Sequence, residues 1–282
     1  MIILRSFCTL LLVFALSQLA CGGDGPVAID GWLPEPGVSN LVVTHDSLAR
    51  EFLVQLPVNY DSTRKYPLVL GFHGAGRSCH DWPDWLKDVA AGNEFIGIYP
   101  QGVRNGWENE YGGRRVDDFS FTSELIAWAD TALAVDTYRR YAVGFSLGAL
   151  FVSRLACRIR GLTGIAAVSG SFYQNPTFEP VAPPRKIFIA QGTYDGVIPY
   201  EGGMSDQGYS YESAENSASM WSRALGCSWQ PTTSSVGEGL TEIRYHPCRG
   251  AGDVRLLKVQ GGHHLQETVD GLFMMIWNFW EK

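Results

Sequence analysis

Short apolar runs alternate with stretches of helical periodicity along most of the chain. The apolar runs are rich in Val, Ile and Leu and end at turn-forming residues, as buried strands of a parallel sheet do. They lie at residues 50–56, 66–72, 95–99, 140–145, 164–169, 186–190 and 254–259. The stretches between them predict helices at residues 82–91, 120–134, 147–160, 213–225 and 269–280. This alternation predicts an α/β fold in which helices cover both faces of a mostly parallel central sheet.

The N-terminal segment has the pattern of an export signal. Arg5 is the only charge before a mostly apolar run at residues 7–16, which is too short to span a bilayer as a stable helix. Two processing sites fit the residues that follow. The sequence ALS, ending at Ser17, suits ordinary cleavage, whereas QLAC, ending at Cys21, resembles a bacterial lipoprotein site that would place a lipid on Cys21. In either case we expect a secreted or exported protein.

The rest of the chain has the size of a single α/β domain. We predict a signal peptide at residues 1–22, an N-terminal extension at 23–40 and one domain at 41–282. Hydrophobic residues make up 45% of the chain and charged residues 18%, a composition typical of a packed globule. The formal net charge of −7 argues against nucleic acid and anionic membrane surfaces as partners. We expect a monomer whose only link to a membrane would be a lipid on Cys21.

Export allows the cysteines to oxidise. Beyond Cys21 there are four, Cys79, Cys157, Cys227 and Cys248, and four cysteines allow three pairings. Cys227 and Cys248 flank a turn-rich segment and a strand-like TEIRYH, which is compatible with a local disulfide. Cys79 and Cys157 are either a second pair or two buried thiols. A C-x-x-C spacing is missing, which argues against a structural zinc site.

The sequence GFSLG places Ser146 between a predicted strand and a predicted helix. In a nucleophile elbow, a sharp strand-to-helix turn lifts the serine oxygen above the sheet, and small flanking residues allow neighbouring elements to approach. The N–H group of Leu147 would then lie at a helix N-terminus, where it can bind an oxyanion. We therefore predict that Ser146 is a nucleophile and Leu147 an oxyanion donor. The alternative is a serine in an ordinary tight turn.

A serine nucleophile needs a base that is itself oriented by an acid, and both types of residue follow Ser146 along the chain. Asp195 lies in GTYDG after one predicted strand, and His263 and His264 lie in QGGHH after the last one. The order serine, acid, histidine is that of α/β-hydrolases, and such sheets carry their chemistry at the carboxyl ends of the strands. The alternative is a turn aspartate with two surface histidines. A metal is not expected, because no third ligand follows the two histidines at a familiar spacing.

Two loops after earlier predicted strands supply further candidates. GFHGAG, at residues 71–76, directly follows YPLVL, and its glycines allow the N–H group of Ala75 to act as the second oxyanion donor. His73 precedes the serine, and we expect it to hold this loop instead of acting as the base. The loop after the strand at 95–99 carries Trp107 and Tyr111. Their rings either bind substrate by stacking on a sugar or phenolic ring, or pack beneath the loop.

The same motifs resemble those of exported α/β-hydrolase esterases, the group that includes polyhydroxybutyrate depolymerase-like proteins and the feruloyl and acetylxylan esterases of carbohydrate esterase family one. The resemblance runs from about Arg50 to the C-terminus. It is carried by YPLVLGFHGAG, VDDFSF, GFSLGALFVSRLAC, IAAVSG, QGTYDGVIPYEGG and the run that ends in SRALGC. It implies an α/β-hydrolase fold for the catalytic domain and a disulfide between Cys227 and Cys248.

The resemblance also implies a role for each triad residue. Ser146 is the nucleophile, Asp195 the acid and His263 the base, because the family histidine follows directly on a glycine run, as in VQGGH. The family continues with a Trp-Pro pair where this chain has His264-Leu265. That departure leaves His264 as a second candidate for the base.

We therefore expect a serine esterase that forms an acyl-enzyme and needs no cofactor. Only residues 171–185 occupy the place of a lid, which indicates little or no lid and an open cleft suited to an ester on a polymer. Feruloyl or acetyl esters of plant polysaccharide are the expected substrates, and a hydroxyalkanoate polyester or its oligomers is the alternative. A serine peptidase or a non-catalytic binding protein is disfavoured, because the sequence lacks a sign of a propeller domain and has a complete set of triad residues.

Overall fold

The computed structural model describes residues 34–108, 116–264 and 269–282. Its strands are β1 (Gly37–His45), β2 (Leu48–Leu56), β3 (Tyr66–Phe72), β4 (Ile96–Pro100), β5 (Val135–Phe145), β6 (Gly164–Val168), β7 (Lys186–Gly192), β8 (Gly203–Met204), β9 (Ser210–Tyr211), β10 (Thr232–Gly237), β11 (Leu240–Tyr245) and β12 (Asp253–Val259). Its α-helices are α1 (Trp82–Trp85), α2 (Lys87–Gly92), α3 (Asp118–Ala132), α4 (Leu147–Arg158), α5 (Ala214–Ala224) and α6 (Leu272–Glu281). The predicted signal peptide, Cys21 and Tyr111 lie outside the described residues.

Ten strands form one sheet in the order β1-β2-β4-β3-β5-β6-β7-β12-β11-β10. The central strands, from β4 to β12, pair in parallel, and both ends of the sheet are antiparallel. Parallel neighbours need crossover connections, and helices supply all of them except the connection between β6 and β7. The predicted α/β architecture is therefore confirmed.

Two apolar clusters lie on the two faces of this sheet. Successive side chains of a strand point to opposite faces, and in β3 Leu68 and Leu70 join one cluster whereas Val69 joins the other. The first cluster packs against α3, α4 and α5, and the second packs against α1, α2 and α6. Within the described ranges, no helix is long and apolar enough to cross a membrane.

The strands at the sheet edges and the first helix differ from the sequence-based expectation. Strand β1 begins at Gly37, inside the predicted N-terminal extension, and pairs with β2 along its whole length. Strand β10 was not predicted, because its side chains are all exposed and carry no apolar alternation. The helix predicted at 82–91 is divided at Leu86, whose backbone leaves the helical region at φ −96° and ψ 7°.

The connection between β6 and β7 contains no helix, so the short lid-free segment expected there is confirmed. Tyr173 of this segment forms a bridge with Tyr211 of β9. The small β8–β9 hairpin therefore packs directly against the β6–β7 connection.

The disulfide implied by the family resemblance is present and joins Cys227 to Cys248. Cys79 and Cys157 are not joined to each other, because they belong to the apolar clusters on opposite faces of the sheet. The sequence left open whether Cys79 and Cys157 form a second disulfide or are two buried thiols. The structure shows two buried thiols.

Candidate active site

Ser146 lies at a strained turn between β5 and α4. Its φ of 55° and ψ of −119° place a non-glycine residue in a region that L-residues rarely adopt. A Cβ added to Gly144 would lie 2.1 Å from the carbonyl oxygen of Gly148, and one added to Gly148 would lie 2.0 Å from that of Phe72. The two glycines of the motif are thus required by backbone contacts. They allow the turn that carries Ser146 to pack against the end of β3, as predicted for a nucleophile elbow.

Asp195 and His264 form the acid–imidazole pair of the site. Asp195 follows β7, its side chain is fully buried, and its Oδ2 accepts a hydrogen bond of 2.8 Å from Nδ1–H of His264. Its Oδ1 accepts two bonds of 2.9 Å from the N–H groups of Val197 and Ile198. Because both oxygens are held, the carboxylate fixes the tautomer and the direction of the imidazole.

The imidazole of His264 also lies next to the elbow. The centroid of its ring lies 5.0 Å from that of the Phe145 ring, and Phe145 is the residue that precedes Ser146. His264 is half-buried, so part of its ring is accessible to solvent. The serine turn, the imidazole and the carboxylate therefore lie together at the carboxyl edge of the sheet.

The structure thus places His264 on Asp195, whereas the sequence predicted His263 as the base. His263 is exposed, and its ring lies edge-on to Tyr194 with centroids 6.2 Å apart. The backbone of this loop is pinned, because a Cβ on Gly192 would lie 2.2 Å from the Gly262 oxygen and 2.3 Å from the His263 oxygen. With the backbone held in this way, the second histidine of the pair faces Asp195 and the first faces solvent.

Gln191, at the end of β7, is a site residue that sequence reasoning missed. Its side chain is buried, and its Nε2 donates to Asp195 Oδ2 at 2.9 Å and to the carbonyl oxygen of Ile198 at 2.7 Å. Asp195 thus accepts four N–H donors, two of them on the oxygen that binds His264. A polar residue at the end of an otherwise apolar strand, as in KIFIAQG, was the signal available in the sequence.

The loop after β3 lies beside Ser146. A Cβ added to Gly74 would lie 2.9 Å from Cδ1 of Phe145 and 3.3 Å from Cβ of Ser146, so only a glycine allows this approach without displacing a neighbour. Within the described residues, the N–H groups of Ala75 and Leu147 donate to no protein acceptor. The two predicted oxyanion donors are therefore available on the two segments that flank Ser146.

His73 holds this loop, as expected from the sequence. It is fully buried, its Nδ1–H donates to the Gly74 oxygen at 2.8 Å, and its Nε2 accepts from Gly102 N–H at 2.9 Å. The amide of Gln101 also donates to Nε2, at 3.1 Å. Burial lowers the pKa of His73. The ring is thus a neutral connector between two loops and faces no substrate.

Of the two alternatives left open for Trp107, the structure shows the one in which its ring packs beneath the loop. Its side chain is fully buried and its Nε1–H donates to the His73 oxygen at 2.7 Å. Its ring packs against Phe72 and Phe151, with centroids 5.2 and 5.1 Å away. The apolar ring gains more from these contacts than from solvent, so it supports the loop from below. Tyr111, the other predicted contact, lies outside the described residues.

One group of side chains has the composition of a metal site. Potential ligand atoms of Glu51, Cys79 and His80 lie within 4.8 Å of one another. Burial raises the pKa of the Cys79 thiol to about 11, so the thiol is protonated at neutral pH and is a poor ligand. The His80 ring already lies 3.1 Å from Glu51 Oε1. We therefore assign no metal to this group.

A central parallel sheet, a strained serine at a strand-to-helix turn and a buried aspartate on an imidazole define the α/β-hydrolase class. A family model described as "Putative esterase" matches residues 48–249, more than half of the chain, and the chain belongs to this family.

Similar proteins agree with this assignment. The chain is 26% identical over 245 residues to feruloyl esterase B of Piromyces equi, and the match covers 82% of this chain and 44% of that protein. It is 28% identical over 244 residues to the probable feruloyl esterase C of Aspergillus niger, covering 78% of this chain and 84% of that protein. The match to the Aspergillus clavatus protein of the same name is 28% identical over 202 residues, and covers 68% and 71% of the two chains. This chain spans less than half the length of the Piromyces protein.

A solved structure shows the same fold. The acetyl xylan esterase from Aspergillus awamori superimposes with a TM-score of 0.63 at 14% identity, and the match covers 86% of this chain and 99% of that one.

Proposed function

We propose that the protein is a serine carboxylic-ester hydrolase that removes feruloyl or acetyl groups from plant polysaccharide. The observation that carries the proposal is the Asp195–His264 hydrogen bond beside the strained turn of Ser146. The feruloyl esterases among the similar proteins support the acyl group, and the open connection after β6 supports a polymeric substrate.

The proposed reaction is a two-step acyl transfer. Ser146 Oγ attacks the ester carbonyl while Nε2 of His264 takes its proton, and Asp195 stabilises the imidazolium that forms. The N–H groups of Ala75 and Leu147 bind the oxyanion, each donor contributing about 3 kcal/mol. The alcohol leaves with the proton from His264. Water then loses a proton to His264 and attacks the acyl-enzyme. The bond between the acyl carbon and Ser146 Oγ breaks, His264 returns the proton to Oγ, and the acid is released.

We also propose that the protein is exported. The Cys227–Cys248 disulfide supports this, because disulfides persist mainly in oxidising compartments. The same proposal includes a signal peptide at residues 1–22, with processing at either Ser17 or Cys21. It also includes a monomeric state. The mass of the mature N-terminus distinguishes cleavage after Ser17 from a lipid on Cys21, and light scattering measures the oligomeric state.

The activity is tested with the wild-type enzyme and Ser146→Ala on three substrates: methyl ferulate, acetylated xylan and hydroxybutyrate oligomers. We expect hydrolysis of the first or second by the wild type and a loss of about 10³-fold or more in the variant. Equal rates for the two proteins refute the serine mechanism. Preference for the hydroxybutyrate oligomers refutes the proposed substrate class and leaves the serine mechanism intact.

A further inference from the structure

A cleft of about 500 Å³ lies between the segment that follows the loop after β3 and the start of α6. Trp85 forms part of its wall, and the Trp85 ring meets that of Phe145 edge-on with centroids 5.6 Å apart. Phe145 precedes Ser146, and its ring also contacts that of His264, with centroids 5.0 Å apart. The cleft and the proposed catalytic imidazole are thus separated by one aromatic side chain.

The cleft can bind either the acyl part or the alcohol part of an ester. Which part it binds depends on the side of Ser146 on which the cleft lies. In the proposed reaction the imidazole gives its proton to the leaving alcohol, so the alcohol must lie on the imidazole side of Ser146. The cleft is lined by Trp85, whose ring contacts Phe145, and by residues that follow His264 in the chain, from Val269 onward. It therefore lies on the alcohol side, where the polymer that carries the ester continues.

The cleft wall combines aromatic rings with hydrogen-bond acceptors. The rings of Trp85 and Phe273 are nearly parallel, at 13°, with centroids 6.3 Å apart, and both side chains are half-buried. Four carboxylates line the same wall, those of Asp81, Asp84, Asp88 and Asp270. Aromatic rings pack on the C–H faces of sugar rings, and carboxylates accept hydrogen bonds from hydroxyl groups. A wall with both aromatic rings and carboxylates suits a ligand that has both C–H faces and hydroxyl groups, as a carbohydrate does.

The net charge of the cleft wall indicates which class of carbohydrate can bind. Two cations, Arg77 and Lys87, face the four carboxylates. Arg77 is partly engaged, because its guanidinium lies 3.9 Å from Asp81 and 5.9 Å from the centre of the Trp85 ring. The remaining excess of negative charge repels polyanions such as uronate-rich chains. A neutral sugar chain is not repelled by these carboxylates.

We propose that this cleft binds the neutral sugar chain that carries the ester, on the alcohol side of Ser146. The inference rests on the esterase function proposed above and names the part of the substrate that this surface recognises. It predicts that the enzyme has affinity for the polysaccharide chain even when no ester is present.

Binding is tested in the Ser146→Ala protein with ester-free xylo-oligosaccharides, measured by titration calorimetry. We expect saturable binding, at least fivefold weaker in a protein that also carries Asp84→Asn and Asp88→Asn, two exposed carboxylates of the wall. Oligogalacturonate, the polyanionic probe, should bind at least fivefold more weakly than the neutral oligosaccharide. The matched control is Trp229→Ala, which removes an aromatic side chain that is 83% exposed and does not line the cleft. Trp85 is left in place because its ring also supports Phe145.

A kinetic comparison separates this proposal from the esterase proposal. The ratio of kcat/KM for a feruloylated xylo-oligosaccharide to kcat/KM for methyl ferulate should fall at least fivefold in Asp84→Asn/Asp88→Asn and stay unchanged in Trp229→Ala. Absence of saturable binding, or an unchanged ratio in the double variant, overturns the proposed subsite. The activity of Ser146→Ala on methyl ferulate decides the esterase proposal independently, since that substrate has no sugar chain.

Discussion

The two adjacent histidines offer a sharp test of the site, because they differ in their contacts and share one short loop. His264 donates to the buried Asp195 at 2.8 Å, whereas His263 is exposed and its ring lies edge-on to that of Tyr194. His264→Ala removes the proposed base and leaves the Asp195 carboxylate without its imidazole partner. His263→Ala removes an exposed ring from the same turn and serves as the matched control.

The expected magnitudes differ by several orders. Loss of a triad histidine costs up to roughly 10⁶-fold in kcat, which corresponds to about 8 kcal/mol of transition-state stabilisation. An exposed side chain that touches no reacting group contributes within about 0.5 kcal/mol, so His263→Ala should change kcat by less than about threefold. Asp195→Asn provides a third point. It keeps the shape of the acid but removes the acceptor that fixes the tautomer of His264, and should cost roughly 10⁴-fold.

The assay is the initial rate of methyl ferulate hydrolysis at saturating substrate, with the far-UV circular dichroism of each variant as the control for folding. The expected order of kcat is wild type and His263→Ala, then Asp195→Asn, then His264→Ala. A folded His263→Ala enzyme that is inactive, together with an active His264→Ala enzyme, would refute the assignment of the base.

Three further perturbations follow from contacts in the structure. Gln191→Leu removes a charge-assisted donor to the triad carboxylate, worth about 1.5–3 kcal/mol, so kcat on methyl ferulate should fall about 10- to 100-fold; unchanged kcat would contradict this role. Gly148→Ala places a methyl group 2.0 Å from the Phe72 oxygen, so activity and Tm should both fall. An active variant with the Tm of the wild type would argue against the close approach of α4 to the end of β3. Reduction of the Cys227–Cys248 disulfide, with its sequence separation of 21, should lower the free energy of unfolding by about 3 kcal/mol in urea titrations; equal midpoints with and without reductant would exclude this.

Features encoded in consecutive residues were predictable from the sequence. Strand β3 was predicted with the bounds that the structure has, because a fully buried strand needs apolar residues at every position. The turn at Ser146 was predicted because its glycines and its flanking strand and helix are contiguous. Asp195 was placed correctly after β7 for the same reason. In each case the residues that determine the conformation lie within a few positions of one another.

Features that depend on distant segments were decided only by the tertiary structure. His263 and His264 have the same chemistry and the same local sequence, and the packing of Gly192 against their loop determines which one meets Asp195. Trp107 is as compatible with a binding surface as with a core until Phe151 of α4 packs against it. Strand β10 has no apolar pattern of its own and forms because β11 offers backbone hydrogen bonds. Local patterns thus determine which elements form and which residue types reach the sheet edge, whereas long-range packing determines which of two equivalent side chains is used.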